Sequence, residues 1–219
     1  MKLYYNPMST YSQKVLMAFY EKDVAFEPML VDLMNPEKKA EYKKIYPFGK
    51  APCLVRSDGW MIPESSIIIE YLEGAFSTGT KLIPEDKDLA RQTRFFDRMA
   101  DLYVNDSVGT LFFGSLRSPE QQSESYFKER MQTMRNNLDV SYAAIHKTLE
   151  GKTWMMGDAF TMADCSLIPA LGYARKTYPF DQYKNIVSYF GRGVERLSYQ
   201  KVLKEATPLL EAFQKNMQR

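Results

Sequence analysis

Residues 48–72 read FGKAPCLVRSDGWMIPESSIIIEYL, and this stretch predicts its own local fold. A short apolar strand at Cys53–Val55 is followed by a tight turn at Ser57–Gly59 and a returning strand at Trp60–Ile62. Together they indicate an antiparallel hairpin. The polar residues after the hairpin open a helix over Ile67–Leu72. The stretch is therefore predicted as strand, turn, strand and helix.

The residues before this stretch add two further strand and helix pairs. An apolar run at Leu3–Tyr5 predicts the first strand, and Val15–Tyr20 predicts the first helix. A second strand over Phe26–Asp32 precedes a charged helix over Pro36–Lys44, which starts with a proline where one is tolerated. The resulting order β-α-β-α-β-β-α over residues 1–76 is that of a thioredoxin-like domain.

The rest of the chain has helical periodicity and few strand signals. Residues 77–86 combine a glycine, a proline, hydroxyl and acidic side chains, and are the predicted linker. Residues 87–219 form the predicted all-helical C-terminal domain, with long helices over Leu89–Leu116 and Pro119–Leu149. The predicted fold class is an α/β domain followed by an all-α domain.

The composition argues against several kinds of function. With 29 Lys+Arg against 27 Asp+Glu, the chain lacks the basic excess that binds nucleic acid non-specifically. One histidine, His146, and two distant cysteines, Cys53 and Cys165, provide no zinc spacing and no disulfide framework. We therefore expect no metal site. No apolar run approaches the ~18 residues of a membrane-spanning helix, so we expect a cytoplasmic protein without a membrane partner.

A hydroxyl-rich loop precedes the first helix. Ser9 and its neighbours lie where unpaired N–H groups and the helix dipole stabilise an anion, such as a phosphate, carboxylate or thiolate. The alternative is that the Ser9 hydroxyl simply caps the helix, because serine is a favoured N-cap residue.

Two more motifs flank the hairpin. Pro52 leads a strand, where a cis bond would turn the backbone of Ala51 outward; an ordinary trans proline is the alternative. Glu64 and Ser65 open the third helix, where a carboxylate and a hydroxyl could hold the ammonium and carboxylate of an α-amino acid group. They could equally be a helix cap with an acid in the first turn.

A fourth motif lies in the helical domain. Thr161 and Asp164 have the spacing of a capping box, although aspartate replaces the usual glutamate or glutamine, and Phe160 fits a hydrophobic staple. We expect this motif to stabilise the fold.

These four motifs, in this order, resemble the cytosolic glutathione transferase superfamily over essentially the whole chain. The loop Ser9-x-x-Ser12-x-Lys14-Val15 is similar to that of the serine-type, theta- and zeta-like bacterial branches. The resemblance implies the glutathione S-transferase (GST) fold, with a thioredoxin-like domain that binds glutathione and a helical domain that supplies most of an electrophile pocket.

The resemblance also implies a role for each matching residue. Ser9 donates a hydrogen bond to the glutathione sulfur, with Tyr5 as the second candidate and Thr10 as the third. The implied glutathione-binding residues are Lys50, Ala51, Pro52, Glu64 and Ser65. The backbone of Ala51 contacts the cysteinyl unit, Glu64 and Ser65 hold the γ-glutamyl end, and Lys50 meets the glycine carboxylate.

The implied activity is transfer of alkyl or aryl groups to glutathione, as in detoxification, with glutathione as co-substrate and no metal. The proposed pocket for a small hydrophobic electrophile consists of Met8, Tyr11, Tyr103 and Ser107. The resemblance further implies a homodimer.

Two other functions stay open at this point. The segment Asp158–Cys165 and residues near Tyr11 also resemble the stringent starvation protein A group, whose members bind RNA polymerase and lack glutathione activity. That group carries an acid at the position of Ser9, so the hydroxyl favours the enzyme. A glutathione-dependent isomerase or peroxidase would use the same bound thiolate with another substrate.

Overall fold

The computed structural model describes residues 1–217, and a four-stranded sheet organises their first third. The strands are β1 (Lys2–Tyr5), β2 (Glu27–Leu30), β3 (Cys53–Val55) and β4 (Met61–Pro63). Their order in the sheet is β2-β1-β3-β4. β1 pairs in parallel with β2 and antiparallel with β3, and β3 pairs antiparallel with β4.

Ten α-helices lie in the described residues. They are α1 (Thr10–Lys22), α2 (Pro36–Ile45), α3 (Ser65–Ala75), α4 (Lys87–Met99), α5 (Asp106–Ser115), α6 (Pro119–Ser123), α7 (Ser125–Thr148), α8 (Met162–Thr177), α9 (Lys184–Glu195) and α10 (Leu197–Met217). The first seven elements follow the predicted order β-α-β-α-β-β-α. The thioredoxin-like fold and the helical remainder are confirmed.

Two predicted helices are divided. The helix predicted over Pro119–Leu149 is split into α6 and α7 at Glu124, whose ψ of 135° is not helical. The apolar periodicity over Leu89–Leu116 predicts a single helix, but a π-helical segment, Ala100–Asn105, separates α4 from α5. A π turn keeps the chain helical while it shifts the register of the faces, and apolar spacing alone does not reveal it.

The chain divides into two compact units. The first consists of Met1–Ile83 together with the chain from Glu195 onward, and the second is Pro84–Val194. In the first unit, α1 packs against both α3 and α10. In the second, α8 packs against α4 and the π-helical segment, and α5 packs against α7.

Helix α1 is longer than the apolar stretch that predicts it. It begins after its N-cap residue Ser9 and ends before Asp23, which adopts the left-handed conformation with φ 52°. The polar residues Ser12, Gln13 and Lys14 of the first turns are buried together with the apolar ones. The hydrophobic pattern therefore marks only the later part of this buried helix.

The C-terminal end of α1 is a junction within the first unit. The Glu21 carboxylate accepts two hydrogen bonds from the Arg196 guanidinium, at 2.6 and 2.7 Å, and others from the hydroxyls of Ser198 at 2.5 Å and Thr80 at 2.6 Å. Gly79 has φ +64°, and a Cβ there would lie 2.1 Å from the Glu21 carbonyl oxygen, so only glycine fits this close approach. The junction joins α1 to residues 79–80 and to the start of α10.

Helix α8 of the second unit begins with a buried capping box. Thr161 is the N-cap residue, and its N–H donates to the Asp164 carboxylate at 2.8 Å. The same carboxylate also accepts from the Met155 N–H and the Tyr189 hydroxyl, both at 2.9 Å. Asp164 therefore fastens the preceding loop and α9 to the start of α8.

Candidate functional site

The strand pairing brings three segments to one end of the sheet. Tyr4 pairs with Cys53, and Cys53 pairs with Pro63. The chain that leaves β1, the chain that enters β3 and the chain that leaves β4 therefore meet at one end, which we call the site end. Helices α1 and α3 both begin there, and their first N–H groups and dipoles favour anions.

The turn from β1 into α1 is held at the site end by Asn6. The Ser9 N–H donates to the Asn6 carbonyl at 2.9 Å and closes the turn. The Asn6 side chain accepts from the Met8 N–H at 2.9 Å and donates to the Val31 carbonyl at 3.1 Å. These bonds fix the turn both internally and against the residue that follows β2.

Side chains of helix α1 also form hydrogen bonds with this turn. The Ser12 hydroxyl accepts from the Asn6 N–H at 3.2 Å, and the Gln13 side chain donates to the Pro7 carbonyl at 2.7 Å. Gln13 is buried, and its Oε1 has no hydrogen-bond partner among the described residues. The hydrogen bond to the Pro7 carbonyl sets the orientation of this amide. That orientation leaves Oε1 unpaired, which costs stability because the atom is buried.

Ser9 occupies the N-cap position of α1, but its side chain makes no capping hydrogen bond. Its backbone is extended, with φ −82° and ψ 122°, and its side chain is half-buried. Capping was the alternative explanation for a serine at this position. The hydroxyl instead lies at a helix N-terminus without serving that helix, so it suits hydrogen bonding to a bound anion.

Tyr5, the second candidate, has a different partner. Its hydroxyl donates to the Glu205 carboxylate at 2.8 Å, and the Tyr20 hydroxyl donates to the other oxygen of that carboxylate at 2.6 Å. Burial, followed by the hydrogen bond and charge of Glu205, raises the pKa of Tyr5 well above its usual value. Tyr5 is thereby engaged in holding α10 within the first unit.

The segment entering β3 contains a cis Ala51–Pro52 bond. Lys50 is exposed, and Pro52 is buried. The Tyr42 hydroxyl of α2 donates to the Lys50 carbonyl at 2.8 Å. No backbone hydrogen bond joins Ala51 to another residue of the described chain, so its N–H and C=O suit pairing with an extended ligand.

The segment leaving β4 ends at Glu64, the N-cap residue of α3. Glu64 has φ 70° and ψ 123°, a conformation that a non-glycine residue seldom adopts and that is often found at ligand sites. Its side chain is exposed, while Ser65 in the first turn of α3 is buried. A carboxylate and a helix N-terminus thus lie side by side, which suits recognition of both groups of an amino acid.

The structure brings Ser9, the Lys50–Pro52 segment and the Glu64–Ser65 pair to the site end. Met8 and Tyr11 belong to the same turn and helix. Tyr103 is half-exposed in the π-helical segment. Ser107 follows in α5 and is buried, and its hydroxyl has no hydrogen-bond partner among the described residues. These last two lie in the second unit.

Asn6, Gln13 and Tyr42 hold backbone groups at the site end and are not predicted from the sequence. Each acts on a backbone carbonyl or amide group, and the sequence does not show which backbone group a side chain will meet. An asparagine directly after a strand is a general turn signal, but Gln13 and Tyr42 carry no comparable signal.

The two cysteines and possible metal ligands contribute no further site. Cys53 and Cys165 are buried free thiols, and burial raises the pKa of Cys53 to about 11. Across residues 1–217, no three His, Cys, Asp or Glu side chains are grouped to hold a metal ion. In the same part of the chain, no helix combines the length and apolar character needed to span a bilayer.

Comparison with known proteins gives consistent matches. A family model described as the glutathione S-transferase N-terminal domain matches residues 3–80, and one for the C-terminal domain matches residues 104–196. Glutathione S-transferase hmp2 of Hypomyces subiculosus is 28% identical over 94% of this chain and 98% of its own. A glutathione S-transferase of Silene vulgaris is 29% identical over 92% of this chain and 96% of its own.

A crystal structure of a glutathione S-transferase from Methylobacillus flagellatus KT with glutathione bound is similar to this chain, with a TM-score of 0.81 and 27% identity. The match covers 92% of this chain and 98% of that one.

Proposed function

Since the chain belongs to the glutathione S-transferase family, as the matches to both of its domain models show, we propose that it directs the sulfur of glutathione onto a small hydrophobic electrophile, with Ser9 stabilising the thiolate. The observation that carries this proposal is the Ser9 hydroxyl, which lies at the N-terminus of α1 and does not cap that helix.

The energy required for this role is modest. A free thiol with a pKa of about 8.5 is only a few per cent ionised at neutral pH, and lowering its pKa by about two units takes roughly 2.7 kcal/mol. A hydrogen bond to a charged group contributes about 1.5–3 kcal/mol, and a helix N-terminus adds about 0.3–1 kcal/mol. The Ser9 hydroxyl and the N-terminus of α1 together contribute about 1.8–4 kcal/mol, a range that includes this requirement.

The remaining site-end residues hold the rest of glutathione in this proposal. Glu64 binds the γ-glutamyl ammonium, and Ser65 with the N-terminus of α3 binds the adjacent carboxylate. The Ala51 backbone, which makes no backbone hydrogen bond within the described chain, pairs with the cysteinyl unit. Lys50 meets the glycine carboxylate.

In the reaction, the glutathione thiol loses its proton to solvent, and the thiolate accepts a hydrogen bond from Ser9. The sulfur then attacks the electrophile and forms a carbon–sulfur bond, and the leaving group departs with its electron pair. Met8 and Tyr11, next to Ser9, are the proposed contacts for the electrophile in the first unit. Tyr103 and Ser107 remain predictions from the sequence.

Replacing Ser9 by alanine tests the proposal. We expect Ser9→Ala to remain bound to immobilised glutathione while its turnover with a chloronitroarene falls about 10- to 100-fold, because one charge-assisted hydrogen bond to the sulfur is lost. The matched control is Ser57→Ala, which removes an exposed hydroxyl in the β3–β4 turn. Turnover of Ser9→Ala at the wild-type rate would show that another residue activates the thiol.

The wild-type result also separates the competing functions. Binding with conjugation supports the transferase, whereas binding with isomerisation or peroxide reduction alone would assign the same thiolate to another substrate. Failure of both binding and turnover would favour the protein-binding alternative. We also propose a cytoplasmic homodimer, for which light scattering should give twice the chain mass of 25.4 kDa.

A further inference from the structure

A hydrogen bond from Tyr42 supports the peptide proposed to pair with glutathione. Tyr42 lies in α2 and is only 5% exposed. Its hydroxyl donates to the Lys50 carbonyl at 2.8 Å. The carbonyl belongs to the peptide unit that also carries the Ala51 N–H.

The planar peptide unit makes this bond directional. Among the described residues the only cis peptide bond is Ala51–Pro52, so the preceding Lys50–Ala51 bond is trans. In a trans peptide the C=O and N–H point in opposite directions. A bond that fixes the Lys50 carbonyl therefore also fixes the direction of the Ala51 N–H.

The position of the Tyr42 hydroxyl is itself fixed by packing. Tyr42 belongs to a buried cluster with Tyr46 and Cys53, and its ring centroid lies 5.7 Å from that of Tyr4 on β1. Burial raises the pKa of Tyr42, so the hydroxyl keeps the proton that it donates.

The same end of α2 holds the loop at a second point. The Gly49 N–H donates to the Tyr46 carbonyl at 2.8 Å. Gly49 has φ +60°, and a Cβ there would lie 2.9 Å from the Lys43 side chain. The loop is thus attached to α2 immediately before the Lys50–Ala51 peptide, and Pro52 is buried immediately after it.

We propose that Tyr42 is a positioning residue for glutathione: by holding the Lys50 carbonyl, it aims the Ala51 N–H at the backbone of the cysteinyl unit. This inference rests on the proposed function. Tyr42 touches neither the sulfur nor the electrophile in this arrangement, so it acts on glutathione affinity and leaves the chemical step unchanged.

Removal of the hydroxyl tests the inference. We expect Tyr42→Phe to raise the KM and Kd for glutathione about three- to tenfold, the range for one neutral hydrogen bond, with kcat at saturating glutathione unchanged. The matched control is Tyr142→Phe. Tyr142 is also buried and its hydroxyl also donates to a backbone carbonyl, that of Tyr178, at 2.9 Å, but it lies in the second unit. We expect this control to lose stability without a change in KM.

Amide hydrogen exchange gives a second readout, independent of turnover. At one fixed glutathione concentration, the Ala51 amide should be less protected in Tyr42→Phe than in the wild type, and Tyr142→Phe should match the wild type. In the wild type, added glutathione should protect the Ala51 amide. This measurement tests the proposed bond from Ala51 to glutathione and requires no variant.

Several results would overturn the inference. These are wild-type affinity and exchange in Tyr42→Phe, an equal rise of KM in both variants, or glutathione binding to the wild type without protection of Ala51. A wild type that neither binds nor converts glutathione would refute the proposed function and this inference together. Normal binding by the wild type with an unaffected Tyr42→Phe would refute the inference alone.

Discussion

Two hydroxyl groups near the end of β1, those of Tyr5 and Ser9, are both candidates for hydrogen bonding to the glutathione sulfur, but their surroundings differ. The Tyr5 hydroxyl is bonded to Glu205, and the Ser9 hydroxyl leaves its helix uncapped. If a glutathione thiolate accepted a bond from Tyr5, the phenol would have to give up its bond to the half-buried Glu205 carboxylate. Ser9 requires no such exchange, so the local hydrogen bonding favours it.

Replacement of Tyr5 by phenylalanine separates the two roles. We expect Tyr5→Phe to keep conjugation activity within about twofold of the wild type and to lower the free energy of unfolding by about 1–3 kcal/mol, because a hydrogen bond to a carboxylate is lost. Steady-state kinetics and urea denaturation measure the two effects. A loss of turnover as large as that of Ser9→Ala, in a folded protein, would make Tyr5 the activating residue.

The N-terminus of α8 shows how a short motif organises an element. Asp164 receives bonds from the N-cap, from the preceding loop and from α9. The Thr161 hydroxyl also donates to this carboxylate, at 3.0 Å. Loss of that hydroxyl removes one partner of a buried acid at the point where the helix begins.

We therefore expect Thr161→Ala to lower the free energy of unfolding by about 1–2 kcal/mol, the usual cost of losing an N-cap hydroxyl. The control is Thr148→Ala, which removes an exposed hydroxyl bonded to Ala144 within α7 and should change stability by at most about 0.5 kcal/mol. Equal urea midpoints for the two variants would contradict a stabilising role for the capping motif.

At the level of elements, local signals predict much of the fold. The turn at Ser57–Gly59 and the helix opening at Glu64 are encoded by a few neighbouring residues, and the hairpin and α3 form where these signals place them. The π-helical segment Ala100–Asn105 is not predictable in this way, because its side chains fit a continuous helix equally well. Neighbouring residues therefore predict that a helix or strand exists, but they do not predict where the register of a long helix shifts.

Long-range pairs explain what the sequence could not show about the site. The order of the motifs along the chain predicts that Ser9, Pro52 and Glu64 belong to one site. The strand pairing places the segments that carry them at the same end of the sheet. Tyr42 is a single aromatic position in a charged helix, and its partner is a backbone carbonyl eight residues away. Glu21 is one of 27 acidic residues, so its bond to Arg196 could not be selected from the charges alone.

Across the whole molecule, two buried carboxyl groups respond to pH in opposite senses. Burial alone would raise the pKa of Glu21, but hydrogen bonds from Arg196, Ser198 and Thr80 outweigh it and leave the pKa below its usual value. In the second unit, burial raises the pKa of Asp164 to about 6 against the hydrogen bonds that it accepts. The first group is thus kept ionised by folding, and the second is biased toward its protonated form.

The two shifts predict opposite effects on stability. Because the folded pKa of Glu21 is depressed, its contribution to the free energy of unfolding is complete above the unfolded pKa of about 4.3. That contribution is lost as pH falls through the folded pKa. Because the folded pKa of Asp164 is raised, its contribution is complete below the unfolded value of about 3.9 and is lost as pH rises through about 6. Acidification from pH 7 to 4 should therefore stabilise the second unit, and further acidification should weaken the first.

Hydrogen exchange in each unit at pH 7, 4.5 and 3.5, corrected for intrinsic rates, would measure these changes. The variants Asp164→Asn and Glu21→Gln should each remove the corresponding pH dependence while leaving the other. A carboxyl resonance of Asp164 that titrates below pH 4 would contradict the predicted behaviour of the second unit.

The attachment of α10 to α1 has a consequence for how the protein is made. The first unit is discontinuous, because it needs both Met1–Ile83 and the chain from Glu195 onward, while the second is the uninterrupted Pro84–Val194. On a translating ribosome, the residues that supply Arg196 and Glu205 emerge only after all of the second unit. The helical unit can therefore fold first during synthesis. The first unit, whose N-terminal segment is translated earliest, is then the last to acquire its complete set of contacts.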